Sequence, residues 1–140
     1  MAFEFICGTD DFLVLREGQS RWQSLAAKVP DEYSREIIDG QAGTVDEAVK
    51  AIGQFISAIQ TVSLFGDRKA VWFRNITFLA DSVTGRSQST QGMVEQLQNA
   101  LSAYDEANVA VLLTASPVDR RKKAFKWFQK NSEFQFIDAG

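Results

Sequence analysis

Apolar and polar positions along this chain follow two alternating rhythms. Phe3–Cys7, "FEFIC", is a short apolar run stopped by Gly8 and reads as a buried strand. From Asp11 to Val29 the residues Phe12, Leu15, Trp22, Leu25, Ala26 and Val29 recur at helical spacing, with Thr9 or Asp10 as the cap and Pro30 as the stop. A weaker strand spans Ser34–Asp39 and ends at Gly40. Thr44-Val45-Asp46-Glu47 matches a capping box, and behind it Val45, Ala48, Val49, Ile52, Phe55, Ile56 and Ile59 trace one wide helical stripe. Lys69–Ile76, "KAVWFRNI", reads as a third strand. Asp81–Gly92 is polar, small and glycine-bearing, which predicts a mobile loop. Met93, Val94, Leu97, Leu101 and Tyr104 mark a third helix. Val109–Ala115, "VAVLLTA", is a strand without polar alternation, as burial on both faces requires. Asp119–Lys130 predicts a basic helix with Ala124, Trp127 and Phe128 turned inward, and Phe134–Asp138 a fifth strand.

Strand and helix thus alternate five times. That pattern predicts an α/β fold of three layers (αβα), with a five-stranded, mostly parallel sheet between helices. Residues 1–140 show no repeat or dividing linker and suit one domain with a single core. Composition then narrows the chemistry. The chain has no histidine, which removes the commonest general base and metal ligand. Its one cysteine, Cys7, excludes an internal disulfide and a thiolate zinc site, in keeping with a reducing cytoplasm. No metal or cofactor is expected. The net charge of −3 gives no overall attraction to nucleic acid or membrane, so any basic site is local. Neither a signal peptide nor a run long enough to span a membrane is visible.

Ligands in such folds bind beyond the carboxyl ends of the strands. A nucleotide site would place G-x-x-x-x-G-K-[ST] after the first strand, yet counting from Gly8 the last three positions hold Leu13, Val14 and Leu15. Asp10 and Asp11 put negative charge at the helix start, where phosphate would sit. The third strand ends in Arg74-Asn75-Ile76, without the carboxylate that would hold magnesium. The acidic pair Asp10 and Asp11, with Thr114 ending the fourth strand, also fits a degenerate receiver-like signalling domain. In that reading the phosphoacceptor position is Asn75, which cannot be phosphorylated, and Asp138 ends the fifth strand where a lysine is needed. Helix capping is the simpler role for Asp10 and Asp11.

The stretch Thr61–Phe73, "TVSLFGDRKAVWF", poses a different question. Read from its residues alone, Leu64-Phe65 is either the last anchor of the core beneath the preceding helix or an exposed apolar plug for another protein. Here a resemblance enters. "ICGTDDFLV", "SLFGDRKAVWFRN" and "VAVLLTASPVDRRKKAFKWF" are similar to the N-terminal domain of the delta subunit of bacterial DNA polymerase III, in the same order and over nearly the whole chain.

The resemblance implies a P-loop NTPase or AAA+-like core that lacks a functional ATP site, in the clamp-loader subunit that opens the ring-shaped sliding clamp. It implies a non-catalytic protein, with polymerase activity belonging to the holoenzyme. The implied partners are the sliding clamp (beta subunit), the loader subunits delta prime and gamma/tau, and DNA in the assembled loader. The family's lid and collar domains have no counterpart here, as in an expressed fragment ending after the fifth strand. By position the clamp-binding residues are Ser63, Leu64 and Phe65, with Val62 flanking. Arg120, Arg121, Lys122 and Lys123, continued by Lys126 and Lys130, are either a solvated helix face or a contact with DNA or a neighbouring subunit. Trp22, Trp72 and Trp127 read as core or interface residues, and Cys7 as a small apolar strand residue.

Overall fold

A computed structural model describes residues 3–29, 32–61 and 68–138. Among them, β1 (Glu4–Gly8), β2 (Arg35–Asp39), β3 (Lys69–Ile76), β4 (Val109–Ala115) and β5 (Glu133–Ile137) form one sheet in the order β2-β3-β4-β1-β5. Every neighbouring pair is parallel. Each connection must therefore carry the chain back along the sheet. Helices do this: α1 (Asp11–Ala26), α2 (Val45–Gln60), a short α3 (Val83–Arg86) followed by α4 (Gln88–Ala103), and α5 (Lys123–Asn131).

Crossover handedness assigns the helices to faces. The first connection runs outward from β1 to the edge strand β2, and the later ones step back across the sheet. Right-handed crossovers then put α1 on one face and α2, α4 and α5 on the other. Side chains agree. Ile6, Trp72 and Leu112 meet Val14, with Leu15, Trp22 and Leu25 beside them, under α1. Their strand neighbours Phe5, Phe73 and Leu113 enter the larger core with Ile52, Phe55, Leu97 and Phe128. Aromatic stacks tie that core together, with centroids 4.6 Å apart for Phe55–Phe73 and 4.5 Å for Phe5–Phe128.

Local signals explain the element starts. Thr44 and Glu47 form the predicted capping box: the Thr44 hydroxyl accepts from the Glu47 amide at 3.2 Å, and the Glu47 carboxylate accepts from the Thr44 amide at 3.1 Å. Asp10 caps α1. β3 and β4 match their predicted spans residue for residue. No helix among the described residues is long and apolar enough to cross a membrane.

Three expectations are corrected. Phe12, assigned to the inward stripe of α1, is 68% exposed, whereas Val14 and Gly18 are buried. The helix approaches the sheet through Gly18, where an added Cβ would lie 2.8 Å from Thr114 Cγ2, and a count of apolar residues passes over a glycine. Second, the loop expected at residues 81–92 is largely helical. Its small polar residues act as caps and close contacts: the Ser82 hydroxyl accepts from the Gly85 amide at 3.0 Å, and a Cβ on Gly85 would strike the carbonyls of Ala80 and Phe78. Third, the basic helix begins at Lys123, four residues after Asp119. Asp119 instead holds a turn by accepting from the Arg121 amide at 3.0 Å, and Phe125 joins Phe128 in the core while Trp127 is only partly buried.

Glycine positions give a paired test of this packing. A Cβ at Gly8 would collide with the Ile137 carbonyl oxygen, whereas one at Gly92, in α4, meets nothing within 4 Å. Gly8→Ala is expected to lose about 1–3 kcal/mol of unfolding free energy in urea titrations. Gly92→Ala should gain about 0.4–1 kcal/mol.

Candidate functional site

At the carboxyl ends of the strands, where an α/β fold presents its ligand site, the chain's own groups take the backbone donors of the β1–α1 turn, beside a recess of about 250 Å³ bounded by Phe12, Asn75 and Ser116. Only Thr9 and Asp10 separate β1 from α1. Asp10 Oδ1 accepts from the amides of Phe12 at 2.8 Å and Leu13 at 3.2 Å, the donors a bound phosphate would use. Asp11 Oδ1 accepts from the Ser116 hydroxyl at 2.6 Å, which joins the end of β4 to the start of α1. Ser116 was not singled out from the sequence; its place just past a strand end was the available signal.

The end of β3 is shaped for packing. Asn75 has φ 59°, the left-handed region, and sits where the β3–β4 register shifts between Phe73 and Ile76. Asparagine tolerates that conformation better than most residues and makes the bulge cheap. Thr114, fully buried, accepts from the Trp72 indole N–H at 3.1 Å and from the Asn75 amide at 3.3 Å. The strand order removes the receiver-like alternative. That fold places β1 between β2 and β3, whereas here β1 lies between β4 and β5.

At the opposite edge of the sheet, α2 ends and β3 begins. Ser63, Leu64 and Phe65 fall in the segment 62–67 between them and lie outside the described residues. The flanking residues are firmly tied. Lys69 Nζ donates to the Ala58 carbonyl at 2.6 Å, at the C-terminal end of α2, and lies 3.5 Å from Glu36. The Lys69 amide donates to the Asn108 carbonyl at 2.8 Å, and the Thr61 hydroxyl donates to Ser57 O at 2.7 Å. The segment's two attachment points are therefore held at the amino-terminal edge, away from the Asp10 turn.

The basic residues do not form one stripe. Arg121 grips the Asp119 carboxylate with Nε at 3.0 Å and Nη2 at 3.1 Å, and reaches Asp81 at 3.5 Å. Arg120 lies over the Phe136 ring, 4.5 Å from its centroid. Lys122 Nζ donates to the Gly85 carbonyl at 3.3 Å, and Lys123 is exposed on the first turn of α5. Nearby, burial pushes the Cys7 thiol up to about 12, against a smaller opposing effect of Arg120, so it stays protonated and unreactive.

Hydrogen bonds from the Arg121 side chain and amide lower the Asp119 carboxyl to about 2. Because the folded value is depressed, this pairing is intact above the ordinary carboxylate range and is lost as pH falls through about 2. A carboxyl-detected NMR titration should find Asp119 near that value. Arg121→Ala should raise it only part of the way toward the ordinary value of about 3.9, because the residue-121 amide still donates to the carboxylate.

The comparisons with known proteins fit this geometry. The family model described as DNA polymerase III, delta subunit, matches residues 5–135. No curated protein matches. Among solved structures, the Bacillus subtilis DNA clamp loader delta protein (YqeN) superposes with a TM-score of 0.65 at 18% identity, over 96% of this chain. This chain spans 38% of that protein's length. The match over residues 5–135 places the chain in the DNA polymerase III delta subunit family.

Proposed function

We propose that this chain forms the part of a clamp-loader delta subunit that binds the sliding clamp and helps to open it. The core is read as AAA+-like with no working ATP site. One observation carries this reading: the Asp10 carboxylate occupies the Phe12 and Leu13 amides at the β1–α1 turn, so the backbone donors a phosphate would need there are already taken by the protein. Function then passes from nucleotide chemistry to contacts with other proteins. No catalytic residue is assigned, and polymerase activity would belong to the holoenzyme.

The clamp contact is assigned to Ser63, Leu64 and Phe65, with Leu64 and Phe65 as the apolar anchors. Support comes from family membership and from the tied ends of the segment at Thr61 and Lys69. Arg120, Arg121, Lys122 and Lys123 are proposed as a contact with DNA phosphates or a neighbouring subunit in the assembled loader, alongside delta prime and gamma/tau. Since Arg120 and Arg121 are already engaged at the surface by Phe136 and Asp119, the two lysines carry the larger share.

Two measurements test the reading. Leu64→Ala combined with Phe65→Ala should weaken sliding-clamp binding by about a hundredfold or more, since each buried apolar side chain contributes roughly 1.5–3 kcal/mol. Melting temperature should stay nearly unchanged. A large fall in melting temperature with clamp affinity retained would return the pair to the core. Separately, titration with a fluorescent ATP analogue and magnesium should show no saturable site, and micromolar binding would refute the sealed turn.

A further inference from the structure

A groove of about 350 Å³ opens between α4 and α5, on the face opposite α1. Phe78, Leu79, Val94, Ala124 and Trp127 line its apolar part. The first three are buried, while Ala124 and Trp127 stay partly open to solvent. Its two lips differ in charge. Lys122 and Lys123 stand on the α5 side; Gln91, Glu95 and Gln98 stand on the α4 side.

We propose that this groove docks a short protein segment in which a large apolar side chain is flanked by a carboxylate. It would be a second protein contact, separate from Ser63-Leu64-Phe65, and it rests on the contact proposed above for Lys122 and Lys123, for which it selects a protein partner over DNA. Charge complementarity selects the occupant. Lys122 is anchored at the lip by its bond to Gly85 O at 3.3 Å, which leaves further ammonium N–H groups to donate. Lys123 is exposed beside it. Both ride the N-terminal end of α5, which has no acidic residue in its first turn, so the helix field adds to their positive potential. Arg121, by contrast, is already neutralised by Asp119.

The floor argues against nucleic acid as the occupant. Phosphate contacts would use the lysines and leave Trp127, Ala124 and Val94 unserved, whereas a protein segment uses both. Partly exposed tryptophan in an apolar recess is a frequent binding anchor. The groove's size, at the lower end for ligand sites, suits one or two large side chains from a short motif. Glu95 on the far lip disfavours acid there and so orients the segment, with its carboxylate toward α5.

The test is fluorescence anisotropy of the chain with a labelled short peptide of alternating aspartate and leucine, against its counterpart with lysine for aspartate. Binding is mapped through the Trp127 indole and Lys123 amide NMR resonances. The acidic peptide should bind and shift both resonances, and the basic one should not. Lys123→Glu should weaken binding by about tenfold or more while leaving melting temperature unchanged or raised, because an acid suits the first helical turn. Glu95→Trp, which fills the groove from an exposed position, should abolish binding in a folded protein. The proposal is overturned if both peptides bind equally, if the acidic peptide fails to bind at millimolar concentration, or if Glu95→Trp leaves binding unchanged. Duplex DNA displacing the peptide and shifting Lys123 but not Trp127 would assign the lysines to phosphate instead.

Discussion

A fully parallel sheet allows no hairpins, and that constraint organises this molecule. Each strand must be followed by a crossover, and crossover handedness decides which face each helix covers. With β1 lodged between β4 and β5, α1 covers one face, alone among the described helices, while α2, α4 and α5 share the other. All strands also point the same way, so the sheet has two unlike edges. Turns entering helices gather at the carboxyl edge, and returns to the sheet gather at the amino edge. Function in this chain is read from the contrast between the two.

At the carboxyl edge, elementary electrostatics favours an anion at the start of α1. The protein supplies its own. A side-chain cap such as Asp10 is worth about 1 kcal/mol to the helix, and it engages the same amides that would hold a phosphate. Gly8 packs so closely on the Ile137 carbonyl that even a Cβ does not fit there. Ser116 and Asp11 tie the neighbouring strand end to α1. At the amino edge the investment differs. Lys69, with a mostly buried side chain, joins the Ala58 carbonyl in the last turn of α2 to the first residue of β3 and so ties the two elements that carry the segment 62–67.

Much of this was legible in the sequence because it depended on local chemistry. Thr44 and Glu47 announced the start of α2, and the unbroken apolar run Val109–Ala115 announced a central strand. The sequence puts Leu13 and Val14 where a phosphate loop needs glycine and lysine, and geometry adds Asp10 on the backbone amides of that turn. What stayed hidden was nonlocal. Gly18 and Gly85 look like helix breakers and loop formers until the surfaces they touch are known. Strand order, which separates this fold from the receiver type, leaves no mark in any single segment. The groove between α4 and α5 depends on residues about thirty apart in sequence, such as Val94 and Trp127, and no periodicity joins them.

The central claim is that this domain works by protein contact at its amino edge and not by ligand binding at its carboxyl edge. Hydrogen–deuterium exchange on the chain, alone and with excess sliding clamp, tests that most directly, because local protection reports which backbone amides a partner covers. The account predicts that the clamp slows exchange in peptides covering residues 60–69 and leaves residues 8–14 unchanged. Protection at residues 8–14, with residues 60–69 exchanging as before, would contradict it.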